Sequence, residues 1–133
     1  MWVENIDPYE HELLVLVGME DKKALFRFLK KIHALPKFAE WLLKDFDSFV
    51  KDLREKNKGQ FCWSDTAPGH MLMLRPYQCT WDYWETLIHE LHHVVQKVAS
   101  LKVFLEEKEA QAYLQEHLFH SIRRKLQGIE KIT

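Results

Sequence analysis

The sequence predicts an α+β fold, and three observations predict it. Gly and Pro number only 4 each in 133 residues, so regular elements joined by short loops should fill the chain. Most segments carry apolar residues at helical spacing. Short apolar runs bounded by turn residues, the mark of strands, occur early and in the middle of the chain. Apolar residues make up 47%, with 5 Trp and 8 Phe, which supplies a core and excludes a disordered protein. The length fits one domain over residues 1–133.

Glu12 to Gly18, lying between Asp7-Pro8 and Gly18, reads as a buried strand. Glu20 and Asp21 then open a helix with an apolar face of Leu25, Phe28, Leu29 and Ile32 that ends before Pro36. A second helix starts near Pro36, where proline is tolerated, and Phe38, Leu42, Phe46, Phe49 and Leu53 carry it to about Lys56. Asn57-Lys58-Gly59 is a turn, Gln60 to Ser64 a strand, Ala67-Pro68-Gly69 a turn, and His70 to Arg75 a second strand. The two strands are spaced to form a hairpin with a longer loop. Pro76 argues against a central place in the sheet at that end. Thr80 or Asp82 caps a long helix whose stripe is Trp84, Ile88, Leu91, Val95 and Val98, with Leu87 and Val94 beside it. A last helix runs from about Phe104 to Gln127, with Leu114, Leu118, Ile122 and Leu126 on its apolar side.

Lys+Arg 19 against Asp+Glu 20 leaves a net charge of -1, which argues against a protein that binds nucleic acid mainly by charge. The apolar run Leu13–Met19 is far shorter than the about 20 residues of a membrane span. The first Lys is Lys22, which does not suit a secretory leader, and the 2 cysteines, Cys62 and Cys79, make no disulfide framework. A soluble, intracellular, cytoplasmic protein is the expectation.

The chemistry concentrates in Thr86–Val95, which holds H-E-x-x-H as His89, Glu90 and His93. On a helix, positions i and i+4 lie one above the other, so the two imidazoles can reach one metal ion. Glu90 is rotated off that axis and can hold a water without filling a coordination site. Zinc suits such ligands, and lowers the pKa of a bound water towards about 7. Composition alone gives about 0.05 chance matches in a chain like this. His92 at i+3 from His89 reads as a supporting or surface residue.

A catalytic zinc needs a third protein ligand. Glu106, Glu107, Glu109, Glu116, His117 and His120 are the downstream candidates. If the helices on either side of Ser100–Val103 form an antiparallel hairpin with its apex near Leu101, residues whose numbers sum to about 202 lie level. His93 is then level with Glu109 and His89 with Tyr113. Glu109 is the expected ligand, Glu106 its main rival. Tyr113 is the candidate hydrogen-bond donor to an oxyanion.

At these residues the sequence resembles the gluzincins, zinc metallopeptidases with H-E-x-x-H and a downstream glutamate ligand. Leu87 to His93 followed by Glu109-Ala110-Gln111-Ala112-Tyr113 is similar to the H-E-x-x-H … E-A-x-A-Y pattern of short phage- and bacterium-encoded zincin-like proteins, and to the ImmA/IrrE type. The match covers roughly Met71 to Leu118. It implies a zincin-like domain: a small mixed sheet, an active-site helix, and an antiparallel C-terminal helix carrying the third ligand. It also implies that the strand His70 to Arg75 lies above the active-site helix and binds an extended peptide or protein substrate by strand addition.

The leading functional expectation is therefore a zinc-dependent hydrolase, a minimal metallopeptidase with Glu90 as general base. The alternative is a non-catalytic zinc-binding interaction or regulatory module on the same fold, and a third reading is a regulatory or toxin–antitoxin protein with incidental histidines.

Overall fold

The computed structural model describes residues 1–6, 11–18, 21–63, 69–101 and 107–132. Two short runs open the chain as an antiparallel pair: β1 (Trp2–Ile6) and β2 (His11–Val17), with Glu4 opposite Leu13. Asp21 then caps α1 (Lys22–Lys31), its carboxylate accepting from the Lys23 backbone N–H at 2.9 Å. Pro36 is the first residue of α2 (Pro36–Glu55), where its missing N–H costs no helical hydrogen bond. β3 (Gly59–Trp63) and β4 (His70–Leu74) follow and pair antiparallel, Phe61 opposite Leu72, as the hairpin reading expected. Thr80 caps α3 (Trp81–Leu101), its hydroxyl accepting from the Tyr83 N–H at 3.2 Å. α4 (Lys108–Ile132) closes the described chain; the expected start at Phe104 lies outside the described residues.

The four strands form one mixed sheet in the order β1-β2-β4-β3, with β2 and β4 parallel. Strand side chains alternate, so each strand feeds two cores. Leu13, Val15, Leu72 and Leu74 pack against α3 and α4, together with Leu87, Leu91, Leu118 and Ile122. Leu14, Leu16, Met71 and Met73 pack the other way, against Leu25, Leu42 and Phe46 of α1 and α2. The architecture is therefore an α+β sandwich, helices on both faces of the sheet. Among the described residues no helix is long and apolar enough to cross a membrane.

Three expectations need correction. β1 was not foreseen, because Glu4 interrupts its apolar alternation. Glu4 is only 5% exposed, and its carboxylate accepts from Trp2 Nε1 at 2.7 Å, Ser121 Oγ at 2.9 Å and Lys125 Nζ at 2.7 Å. The burial of that charge is tolerable only because α4 brings Lys125 and Ser121 onto it.

β4 is not a peripheral strand. It lies between β2 and β3, and all its residues are buried. Pro76 does not prevent this, since the strand ends at Leu74, whose carbonyl accepts from the Gly18 N–H at 2.8 Å. Strand addition of a substrate along His70 to Arg75 is thereby closed, because both ladders of β4 are already filled. Among the described residues, the sheet edge beside α3 that no strand pairs with belongs to β3.

The buried stripe of α3 is also rotated from the expected one. Tyr83, Leu87, Leu91, Val94, Val95, Val98 and Ala99 are buried, whereas Ile88 is 45% exposed and Trp84 half-buried. Tyr83 belongs to the core, its hydroxyl donating to the Arg75 carbonyl at 2.8 Å.

Candidate metal centre

α3 presents His89 and His93 on its exposed side, one helical turn apart. Their Nε2 atoms lie 3.2 Å from each other, in hydrogen-bond contact, with the rings at 87°. Two nitrogens bound to one tetrahedral zinc at about 2.0–2.1 Å are about 3.3 Å apart. The pair thus has the bite that zinc requires, and its donors suit zinc chemically. His92 is exposed beside them, its ring 6.3 Å from that of His93.

Glu90 points elsewhere. It is half-buried at the junction of α3 with β3, and its Oε2 accepts from the Phe61 backbone N–H at 3.0 Å. That N–H is therefore outside the β3–β4 ladder and belongs to the outward edge of β3. Gly59 makes the approach possible. A Cβ there would stand 2.9 Å from Thr86 Cγ2 and 3.1 Å from Glu90 Cγ, so only glycine lets α3 lie this close. Further along the same junction Trp63 stacks on Phe61 at 5.3 Å, and Lys97 Nζ lies 5.0 Å from the Trp63 ring centre.

α3 and α4 pack antiparallel as expected, while the turn expected at Ser100–Val103 lies largely outside the described residues. Gln115 Nε2 donates to the Ile88 carbonyl at 3.2 Å, and the rings of Trp84 and Phe119 lie 6.1 Å apart. Each pair of numbers sums to 203, so α3 and α4 run antiparallel in nearly the anticipated register. Rotation about the α4 axis is a separate matter. Gln115 and Phe119 face α3. Glu109 stands roughly 120° around the helix from Gln115, at 3.6 residues per turn. Both Glu109 and Tyr113 are exposed, Tyr113 to 65%. Among the described residues no three His, Cys, Asp or Glu side chains form a group able to hold a metal ion. Glu106, the rival ligand, lies outside the described residues. The structure thus brings His89 to His93, turns Glu90 of α3 against the edge of β3, and leaves Glu109 and Tyr113 on the outer surface of α4.

The cysteines do not meet. Cys62 is buried and Cys79 exposed, both as free thiols. Burial pushes the Cys62 thiol up to about 12; a hydrogen bond with Gln60 opposes this, while the charges of Glu90 and Asp52 reinforce it. The basic run Arg123 to Lys125 of α4 makes contacts with α3 and β1. Arg123 lies over the Trp84 ring at 5.8 Å, and Lys125 is the cation of the Glu4 pair.

Sequence reading missed Gly59 and the Phe61 amide. A glycine opening a strand was their one signal, since in that position it often marks a close approach. Comparisons with protein families, curated proteins and solved structures find no match to this chain.

Proposed function

We propose that the protein is a zinc-dependent hydrolase, a minimal metallopeptidase with Glu90 as its general base. The observation carrying this reading is the 3.2 Å separation of His89 Nε2 and His93 Nε2, with Glu90 between them in sequence and turned to the free edge of β3. His89 and His93 would hold the ion, joined by a carboxylate, Glu109 or Glu106. When bound, zinc supplies Lewis acidity and a water acidified towards a pKa of about 7.

The rest of the chemistry falls to the chain. The outward N–H and C=O groups of β3 bind the substrate backbone in extended form. Glu90 Oε2 now occupies the position of an added strand's carbonyl on Phe61. A substrate strand takes over that hydrogen bond and frees the carboxylate. Glu90 then accepts a proton from the attacking water and passes it to the leaving amine.

Glu90→Gln tests this. The amide oxygen still accepts from Phe61, so fold and zinc content persist. Loss of the base should lower turnover by about 10² to 10⁴. Cleavage at the wild-type rate by Glu90→Gln would remove the mechanism. A non-catalytic zinc module is favoured by one observation, the outward position of Glu109. It predicts stoichiometric zinc with no cleavage of any peptide by the wild type.

A further inference from the structure

The free edge of β3 has a second flank, on the side of the sheet away from the histidines. Trp41, Asp45 and Phe49 recur every four residues and form one ridge of α2, each half-buried. With Cys62 and Trp63 they line a cleft of about 270 Å³. Trp41 and Phe49 meet edge to face, ring centres 5.8 Å apart. Asp45 is the cleft's charged residue, and among the described residues no cation pairs with it. The cleft is shallow and open, so it offers a wall to one side chain and does not enclose a free metabolite.

We propose that the cleft of Trp41, Asp45, Phe49, Cys62 and Trp63 takes a lysine or arginine side chain of an extended peptide docked on the edge of β3. The peptide's path along β3 rests on the hydrolase reading. The charge preference rests on the cleft itself. Side chains of an added strand alternate between the two faces of the sheet. One set faces α3 with its histidines, and the other enters the α2 side. There the Asp45 carboxylate supplies the countercharge, and the Trp41 and Phe49 rings supply faces that attract a cation and an apolar surface for its methylene stem. An acidic side chain is repelled by Asp45. A purely apolar one leaves that half-buried carboxylate with less water and no partner.

The test is peptide binding measured separately from cleavage. Position-scanning sets of capped nonapeptides, with arginine, lysine, norleucine or glutamate fixed at one position, are titrated against the full-length Glu90→Gln protein. Fluorescence anisotropy reads the affinity. The arginine and lysine sets should bind roughly ten-fold tighter than the norleucine set at one position, and the glutamate set weakest. Asp45→Asn, nearly isosteric, should erase the difference between arginine and norleucine. Equal binding of those two sets, a preference that survives Asp45→Asn, or no binding by any set overturns the proposal. Wild-type cleavage without a basic preference overturns the cleft and leaves the hydrolase standing. A basic preference in binding with no cleavage by the wild type does the reverse.

Discussion

The Phe61 backbone N–H donates to Glu90 Oε2 at 3.0 Å, joining the carboxylate of the H-E-x-x-H segment to the free edge of the sheet. Two elements distant in sequence share one hydrogen bond. It holds the acid at the place where an extended chain would pair. The contact depends on Gly59, which lets Thr86 and Glu90 sit against β3.

Zinc content is the first expectation to check. The purified protein should hold one zinc per chain by elemental analysis at neutral pH, and His89→Ala/His93→Ala should hold none. If Glu109 is the third ligand, metal binding must turn it in from the outer face of α4, and Glu109→Ala then lowers the affinity far more than Glu116→Ala. A larger effect of Glu106→Ala places the third ligand in the segment before α4. Near-stoichiometric zinc in the double histidine variant removes the site.

Gly59→Ala should damage both stability and site. Its Cβ would meet Thr86 Cγ2 at 2.9 Å, closer than carbon atoms pack. Overpacking of this kind costs about 1–3 kcal/mol. The urea midpoint should fall, and exchange of the Phe61 amide should quicken as Glu90 is pushed away. Gly59→Ala combined with Thr86→Ser, which removes Cγ2, should recover part of the loss. No recovery would show that Thr86 is not what resists the methyl.

Glu4 should matter more than its place near the start of the chain suggests. Replacing it with Ala leaves Ser121, Lys125 and the Trp2 indole without their acceptor. A loss of about 1–3 kcal/mol in urea unfolding is expected. Lys125→Met should also destabilise, because it leaves the buried carboxylate without its cation. Wild-type stability in both variants would show that the latch between β1 and α4 contributes nothing.

Alkali should loosen the fold before it modifies Cys62. The folded protein keeps the Cys62 proton up to about 12, whereas the ordinary value is 9.0. Tyr83 is shifted in the same direction by burial first and then by the nearby Tyr77. Above pH 9 the unfolded chain therefore holds fewer protons than the folded one, so stability falls as pH rises towards 12. Below pH 9 that contribution is fully retained. The urea midpoint should decline across this window, and less steeply in Cys62→Ala. At about pH 8 the native protein should react with a thiol reagent at Cys79 alone, and at both thiols once unfolded.

Much of this protein could be read locally. The apolar repeat of Leu114, Leu118, Ile122 and Leu126 was legible, and all of them are buried. So was the convergence of His89 and His93, because backbone hydrogen bonding fixes the helical repeat wherever the helix sits. The Pro36 and Thr80 helix starts rest on equally local chemistry. Tertiary structure decided what depends on neighbours. A strand's own residues do not say which strands flank it, so β4 could pass for an edge although it lies inside. Nothing near Glu4 in the sequence announces its burial, which depends on Lys125 and Ser121 supplied by α4. Helical register set the level of Glu109 against His93, but rotation of α4 was set by which side its core stripe buries. That burial turns Gln115 towards α3 and Glu109 outward. Pattern along the chain carries distances of a few residues. The pairing of Phe61 with Glu90 spans 29 residues and exists only because the core that joins Phe61 to Leu87 and Leu91 holds α3 and β3 together.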